Sequence, residues 1–249
     1  MAHPALAADF WFPRRVLVAG ATGRTGRHVV ARLQQLGVIC RVLVRAIARA
    51  APLGRVEAVQ GDVLDAAQCR TAVEGCDAVV SAIGDYKIPK DRPLVDGDGV
   101  INLADAAEAA GARRFVLVSS LGSGASWPWL PLPVKWYFHL AGARPLLTAK
   151  TRSDAHVRAA KLDWTILWPA FLTNRPMRAA PLLTAEGRGG GTTSRQAVAD
   201  VAVRCLASDN AIGRTLIVVD PAMGFTLRGS PRFELDVPWQ AWPAPSPGA

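Results

Sequence analysis

Cysteine is scarce in the 249-residue chain, and its four copies form no C-x-x-C pair and no metal-site spacing. We expect reduced thiols of the core or the surface, which favours the cytoplasm over an oxidising compartment. The first thirteen residues lack the basic start and apolar core of a signal peptide. The longest apolar segment, 127–141, contains three prolines together with Lys135 and His139, so it is too interrupted to span a membrane.

The chain also lacks any run of lysine and arginine, although its formal net charge is +9. The positive charges are scattered and mostly arginine, and aromatic residues do not alternate with them. We therefore expect no nucleic-acid partner, and we attribute the charge to an anionic ligand and ordinary arginine usage. Half of the residues are hydrophobic, which suits one large domain over residues 1–249. The expected oligomeric state is a monomer or a homodimer.

Three glycines at the spacing G-x-x-G-x-x-G follow the apolar run 16–19, and an amphipathic helical pattern begins directly after them. This order of strand, turn and helix is typical of a dinucleotide site. The first glycine allows a tight turn, the second lets the backbone approach the pyrophosphate, and the third lets helix and strand pack closely. The N–H groups that open the helix then face the anion. The predicted contacts of this loop are Gly20, Thr22, Gly23, Arg24, Thr25 and Gly26.

Aspartate and glutamate are absent from residues 10–56. An NAD site usually has an acid at the end of the second strand, where it holds the ribose 2′-hydroxyl. Here the second predicted strand, 38–45, ends in Arg45. A 2′-phosphate carries about two negative charges and suits a planar guanidinium. We predict NADP(H) as the cofactor, with Arg45 and Arg24 at the 2′-phosphate. The alternative is a solvated basic face.

The rest of the sequence alternates between apolar runs and helical patterns. Further strands are predicted at 55–59, 77–84, 114–120, 164–168 and 215–219, and helices at 66–73, 94–110, 145–160 and 196–207. Continuous Val, Ile and Leu runs are typical of a parallel sheet buried on both faces. The predicted fold class is α/β, a doubly wound, mostly parallel (Rossmann) sheet with its core at about 14–220. Residues 170–195 and 221–249 are expected to form an irregular, small substrate-side lobe and a tail.

These motifs together resemble the atypical short-chain dehydrogenase/reductases, in the NAD(P)H-binding group that includes NmrA-like proteins and biliverdin reductase B. The resemblance covers residues 15 to 220. Its motifs are 20–26, 44–45, 61–63, 81–84, 109–120, 149–150 and 193–199.

This resemblance implies a role for each matching position. Asp62 and Val63 would contact the adenine, and Ala82, Ile83 and Gly84 would lie along the cofactor near the ribose. Ser119 and Ser120 would lie at the nicotinamide end. Lys150 would bind the nicotinamide ribose, and Ser120 and Lys150 are the candidate catalytic residues. The other reading makes Asp62 a strand-end cap and the two serines ordinary strand-end hydroxyls.

The sequence departs from the wider superfamily at one position. Catalytic members have a tyrosine four residues before the lysine, and it passes a proton to the substrate. Leu146 stands there instead, and the chain has only two tyrosines, Tyr86 and Tyr137. Tyr137 lies in the aromatic segment 127–139, whose rings are expected either to stack on a flat acceptor or to cover the core or an interface. His139 is read as structural rather than catalytic.

Three functions remain open at this point. The first is an NADP(H)-dependent oxidoreductase that reduces a planar conjugated acceptor, such as a quinone or a flavin-like ring, which takes its proton from water. The second is a non-catalytic NADP(H)-binding redox sensor or scaffold, which the missing tyrosine favours. The third is an epimerase or isomerase that uses NADP. No metal is expected.

Overall fold

The structure, a computed structural model, describes residues 11–85, 88–89, 92–185, 189–221, 224–226 and 231–238. The first half of the chain alternates strands and helices as predicted. Its elements are β1 (Arg15–Ala19), α1 (Gly26–Gln35), β2 (Ile39–Val44), β3 (Glu57–Gln60), α2 (Ala66–Val73), β4 (Ala78–Ser81), α3 (Val100–Ala109) and β5 (Arg114–Val118). A 3₁₀ turn, Ile47–Leu53, follows β2, and a π-helical turn, Val95–Gly99, leads directly into α3.

The second half contains more regular structure than the sequence indicated. Its elements are α4 (Leu132–Leu140), α5 (Arg144–Ala159), β6 (Asp163–Pro169), β7 (Phe171–Thr173), β8 (Leu182–Thr184), β9 (Gly189–Ser194), α6 (Arg195–Cys205), β10 (Arg214–Val219) and β11 (Gly224–Thr226). Two 3₁₀ turns, Gly124–Trp129 and Asp209–Ala211, complete this half.

The central sheet has eight strands in the order β3-β2-β1-β4-β5-β6-β10-β8. All neighbours are parallel except β8, which pairs antiparallel with β10 at one edge. The strand order reverses between β1 and β4, and ligands of doubly wound sheets bind at the carboxyl ends of the strands at this point. The predicted Rossmann-type α/β fold is confirmed.

The core lies on both faces of this sheet because successive side chains of a strand point to opposite sides. In β1, Val16 and Val18 pack into the layer that contains α1 and α6, whereas Leu17 and Ala19 pack into the layer that contains α2 and α3. All four of these side chains are fully buried. The continuous apolar runs of the sequence are therefore the ones that a two-sided parallel sheet requires.

A small second sheet, in the order β11-β9-β7, forms the predicted C-terminal lobe. Its three strands come from 170–195 and 221–249, and β8 of the central sheet also lies in 170–195. Both stretches were expected to be irregular, and that expectation is wrong for these four strands. The glycine-rich strand β9 has little intrinsic preference for extended structure, but it is paired on both sides. Residues 239–249, at the end of the predicted tail, lie outside the described residues.

The aromatic segment 127–139 contains helix α4, which the sequence analysis did not assign. Trp127, Trp129 and Phe138 are partly buried and pack on the core, whereas Trp136 and Tyr137 are exposed. Part of the segment therefore covers the core, and part of it faces outward. No helix in the described part of the chain is long and apolar enough to cross a membrane.

The four cysteines are all free and all buried. Burial raises the pKa of the Cys40, Cys69 and Cys205 thiols to about 12, and it also raises the pKa of Cys76. Because the thiolate is the reactive species, burial and the raised pKa both oppose reaction with thiol reagents.

We expect the folded protein to resist Ellman's reagent at pH 8. The same chain in guanidinium chloride should release one thionitrobenzoate for each of its four cysteines. The measurement is the absorbance of the released anion, with the denatured sample as the control. Rapid reaction of even one thiol in the folded protein would contradict the buried position of that cysteine.

Candidate functional site

A cleft of about 570 Å³ opens at the carboxyl edge of the central sheet, where the strand order reverses. It collects residues from the ends of β1 to β5 and from α5. The predicted site residues that line it are Gly20, Thr22, Gly23, Arg24, Thr25, Arg45, Asp62, Val63, Ala82, Ile83, Gly84, Ser119, Ser120 and Lys150. Gly26 is the one predicted residue that does not line it.

The glycine loop forms the floor of the cleft. Gly20 has a positive φ of 79°, and a Cβ atom there would lie 2.6 Å from the carbonyl oxygen of Ala82. A Cβ on Gly26 would collide with the carbonyl oxygen of Gly20, so Gly26 allows α1 to start against β1. A Cβ on Gly23 would meet only the Gly20 oxygen, at 3.0 Å, and otherwise faces open space. This arrangement gives the three glycines the turn, approach and packing positions that their spacing predicted.

The start of α1 offers a site for an anion. No side chain caps the helix N-terminus, and its first turn contains no acidic residue. The N–H groups of a helix N-terminus carry a partial positive charge and point outward along the axis. The glycine cradle and this helix end together fit the pyrophosphate of a dinucleotide.

The end of the cleft beside β2 is basic. Arg45 directly follows β2, and Arg49 lies in the 3₁₀ turn beyond it; both side chains are exposed and contact no other described side chain through a hydrogen bond or an ion pair. Arg24 lines the same end. Asp62 is the acid here, and its Oδ1 accepts a hydrogen bond at 3.0 Å from the N–H of Leu64, so it does cap the end of β3.

The opposite end of the cleft contains a buried ion pair that no pattern in the sequence predicted. Lys150 Nζ lies 2.6 Å from Oδ1 of Asp96, whose side chain is 1% exposed. The other oxygen of Asp96 accepts a hydrogen bond from the N–H of Asp85, and the Asp85 carboxylate pairs in turn with Arg92. Asp96 belongs to the π-helical turn before α3. Such turns are frequent at functional sites, but no pattern in the sequence links this aspartate to Lys150.

The two serines at the end of β5 are hydrogen-bonded within the protein. Ser120 Oγ donates to the carbonyl of Leu121, and Ser119 Oγ lies 3.4 Å from Ser123 Oγ. Ser123 donates to Oδ2 of the buried Asp154, which also accepts from the indole of Trp168. This network ties the nicotinamide end predicted for the cleft to α5 and β6.

The side chain one helical turn before Lys150 cannot donate a proton to a substrate, because it is a leucine. Leu146 lines the cleft beside Lys150, as helical neighbours four residues apart should. No tyrosine, histidine or cysteine is among the described lining residues. Tyr137 contacts Phe138 and Phe171 on the outer surface, and His139 is exposed. No group of potential metal ligands occurs in the described ranges.

Comparison with known proteins identifies the family. The model of a family described as NAD(P)H-binding matches residues 20–209, which include the whole glycine loop and Lys150. The chain belongs to this NAD(P)H-binding family. The resemblance recognised in the sequence, and the dinucleotide as the kind of ligand, are therefore confirmed.

Three known proteins show what the chain is similar to. An uncharacterized chloroplast protein of Arabidopsis thaliana is 31% identical, over 83% of this chain and 76% of that protein. A (4-alkanoyl-5-oxo-2,5-dihydrofuran-3-yl)methyl phosphate reductase of Streptomyces griseus is 30% identical, over 69% of this chain and 53% of that protein. Among solved structures, the anaerobillin reductase ChuY of Escherichia coli O157:H7 superposes with a TM-score of 0.68 at 25% identity, over 83% of this chain and 97% of ChuY.

The pair of Asp96 and Lys150 has a matched surface pair in the same two helical elements. Asp98 and Arg152, each two residues further along the chain, lie 2.8 Å apart with both side chains about half exposed. We expect Asp96→Asn to lower the free energy of unfolding by about 3 kcal/mol, because it leaves the Lys150 ammonium with little solvent and no partner. Asp98→Asn should cost less than about 1 kcal/mol.

Urea denaturation of the two variants and the parent protein measures both effects. Asp98→Asn is the control for removing one negative charge from this turn. Equal losses of stability in the two variants would show that the buried pair of Asp96 and Lys150 contributes no more to the free energy of unfolding than the surface pair does.

Proposed function

We propose that the protein is an NADPH-dependent reductase of a planar conjugated acceptor, such as a quinone or a flavin-like ring. The observation that carries the cofactor assignment is Arg45, which lies at the end of β2 where an NAD site would have an acid. Arg24 and Arg49 line the same end of the cleft, and Asp62 is the one acid close to them in the lining. A guanidinium cluster of this kind suits the 2′-phosphate that distinguishes NADPH from NADH.

The remaining contacts follow the order of the strands along the sheet edge. The loop from Gly20 to Gly26 would hold the pyrophosphate, and Asp62 and Val63 would contact the adenine. The backbone of Ala82, Ile83 and Gly84 would lie along the middle of the cofactor. Lys150, held by Asp96, would bind the ribose next to the nicotinamide, and Ser119 and Ser120 would border the ring.

The chemistry proposed for the cleft needs no acid from the protein. The bound cofactor supplies a hydride from its nicotinamide ring. A conjugated acceptor spreads the resulting negative charge over its ring and takes a proton from water, so Leu146 can occupy the place of a tyrosine. Leu146 and Leu172 form apolar lining against which a flat ring would pack. The N–H groups of Lys150 that do not face Asp96 would donate hydrogen bonds to oxygen atoms at this end of the cleft.

Two relatives support reduction as the type of reaction. The Streptomyces protein is named as a reductase of an oxo-dihydrofuran, and ChuY as a reductase of an anaerobillin. Four buried free thiols suit a reducing compartment such as the cytoplasm.

The second candidate is a non-catalytic NADP(H)-binding sensor or scaffold. Leu146 favours it, because the residue that protonates carbonyl substrates in the wider superfamily is missing. The third candidate, an epimerase or isomerase that uses bound NADP, would need side chains that donate and accept protons. The described lining contains no tyrosine, histidine or cysteine for this role.

The direct test is the oxidation of NADPH, followed at 340 nm, with a panel of soluble quinones and flavins. Steady turnover with at least one acceptor supports the reductase. Tight NADPH binding without reduction of any acceptor in the panel would favour the non-catalytic sensor instead.

We expect Arg45→Ala to weaken NADPH binding by about 1.5–3 kcal/mol, because it removes charge-assisted hydrogen bonds to the 2′-phosphate. NADH binding should change very little. Arg55→Ala is the control, since this exposed arginine belongs to the same acid-free stretch but lies outside the cleft. Isothermal titration with both cofactors measures the effect, and equal affinity of the parent protein for NADPH and NADH would refute the assignment.

We expect Leu146→Tyr to give no gain in acceptor reduction, although it restores the tyrosine spacing one helical turn from Lys150. Its phenol would supply a proton that a conjugated acceptor does not need, and its ring would narrow the cleft. Leu146→Ala is the control for the loss of the leucine side chain. A large rise in kcat for Leu146→Tyr would show that the parent protein lacks a proton donor, and it would favour the sensor.

A further inference from the structure

Helix α4 presents an apolar face to solvent. Leu132, Trp136 and Leu140 lie one turn apart along the helix and are 70%, 62% and 78% exposed. No residue of α4 is fully buried, and the helix contacts the core through Val134 and Phe138 on its other side. Isolated exposed leucines are ordinary on protein surfaces. A contiguous exposed apolar face, in contrast, indicates a surface that binds a protein, a membrane or another apolar partner.

The apolar face continues onto β7. The ring of Phe171 stacks on Phe138 and contacts Tyr137 edge-on, and both Phe171 and Leu172 are exposed. We call this surface the α4 patch; its members are Leu132, Trp136, Tyr137, Leu140, Phe171 and Leu172. Together they are six of the nine large hydrophobic side chains found exposed among the described residues. Leu172, which points to the other side of β7 from Phe171, also lines the cleft, so the strand that borders α4 also borders the mouth of the cleft.

The two stretches of chain that supply the α4 patch contain basic but no acidic residues. The sequence contains no aspartate or glutamate in residues 109–153 or in 164–185, the two stretches that supply α4 and β7. Lys135 and Arg144 both lie over the ring of Trp127, which contacts Phe138. Tryptophan, tyrosine and basic residues around an apolar helix face are the composition of helices that lie in the interface of a membrane.

We propose that the α4 patch docks the protein onto the surface of a membrane that contains anionic lipids. Leucine and tryptophan side chains would enter the boundary between headgroups and acyl chains, and the basic residues would meet the lipid phosphates. An apolar molecule dissolved in that membrane would then reach the mouth of the cleft at Leu172 without crossing water. The docking itself does not depend on the proposed reductase activity.

A second copy of the chain fits this surface less well. A two-fold contact centred on Trp136 would place Lys135 of one copy near Lys135 of the other, and like charges oppose such pairing. The helix has nine residues and is therefore only about 13 Å long. A contact made through α4 alone would offer less area than the roughly 800 Å² that each partner of a stable complex buries.

The test is cosedimentation of the protein with vesicles of phosphatidylcholine alone and of phosphatidylcholine mixed equally with phosphatidylglycerol. We expect binding to the mixed vesicles only, and weaker binding as salt is raised. Leu140→Gln and Trp136→Gln should each lower the partition coefficient about tenfold, because an apolar side chain no longer enters the lipid. Arg144→Gln should lower it about fivefold, the effect of one basic residue at an anionic surface.

Ile39→Gln is the matched control, because Ile39 is also a large exposed hydrophobic residue but lies on β2, outside the α4 patch. It should leave vesicle binding unchanged. Absence of binding, equal binding to both kinds of vesicle, or an equal loss in Ile39→Gln would overturn the proposal. So would a dimer, measured by light scattering, that Leu140→Gln converts to a monomer, since the face would then be a subunit interface. Vesicle binding requires no cofactor or acceptor, so its failure is distinct from failure of the reductase assay.

Discussion

The contact between β1 and α1 at Gly20 determines both the fold and the cleft. Gly20 adopts a left-handed conformation between the strand and the glycine loop, and its Cα lies against the backbone at the end of β4. Gly26, the first residue of α1, rests on the carbonyl oxygen of Gly20. At these two glycines, two strands and one helix therefore meet through backbone atoms. Any side chain at either position would push the helix away from the sheet, and the floor of the cleft would be lost with it.

On this floor the two ends of the cleft have different electrostatic character. The end beside β2 has two exposed arginines, Arg45 and Arg49, that form no ion pair with another described residue. At the other end, the charges of Lys150 and Arg92 are balanced within the protein by Asp96 and Asp85. A buried ion pair is weak evidence for stability, but it holds a side chain in one place. The first end can therefore select an anionic group, whereas the second end keeps the Lys150 ammonium at a fixed position.

The sequence predicted those features that depend on neighbouring residues. Helix α2 has the predicted bounds, and Asp65 caps it by accepting hydrogen bonds from the N–H groups of Ala67 and Gln68. The glycine loop and the strand ends could be placed because a parallel sheet aligns its carboxyl ends. Asp96 could not be found in this way, because its partner Lys150 lies on a distant helix. Strand β9 was missed because its pairing with β7 and β11, rather than the preference of glycine, makes it a strand.

Helix α4 was missed for a related reason, and it shows how the surface is connected to the cleft. Both sides of this helix are apolar: Val134 and Phe138 pack inward while Leu132, Trp136 and Leu140 face outward. A helix with apolar residues on two opposite sides gives only a weak amphipathic period to recognise. The inward side explains the position of the helix, since Phe138 packs on Phe171 and thereby holds the strand that carries Leu172 to the cleft. The outward side makes no contribution to this packing. Packing within the described fold therefore does not explain why this side is apolar, whereas contact with a lipid surface would.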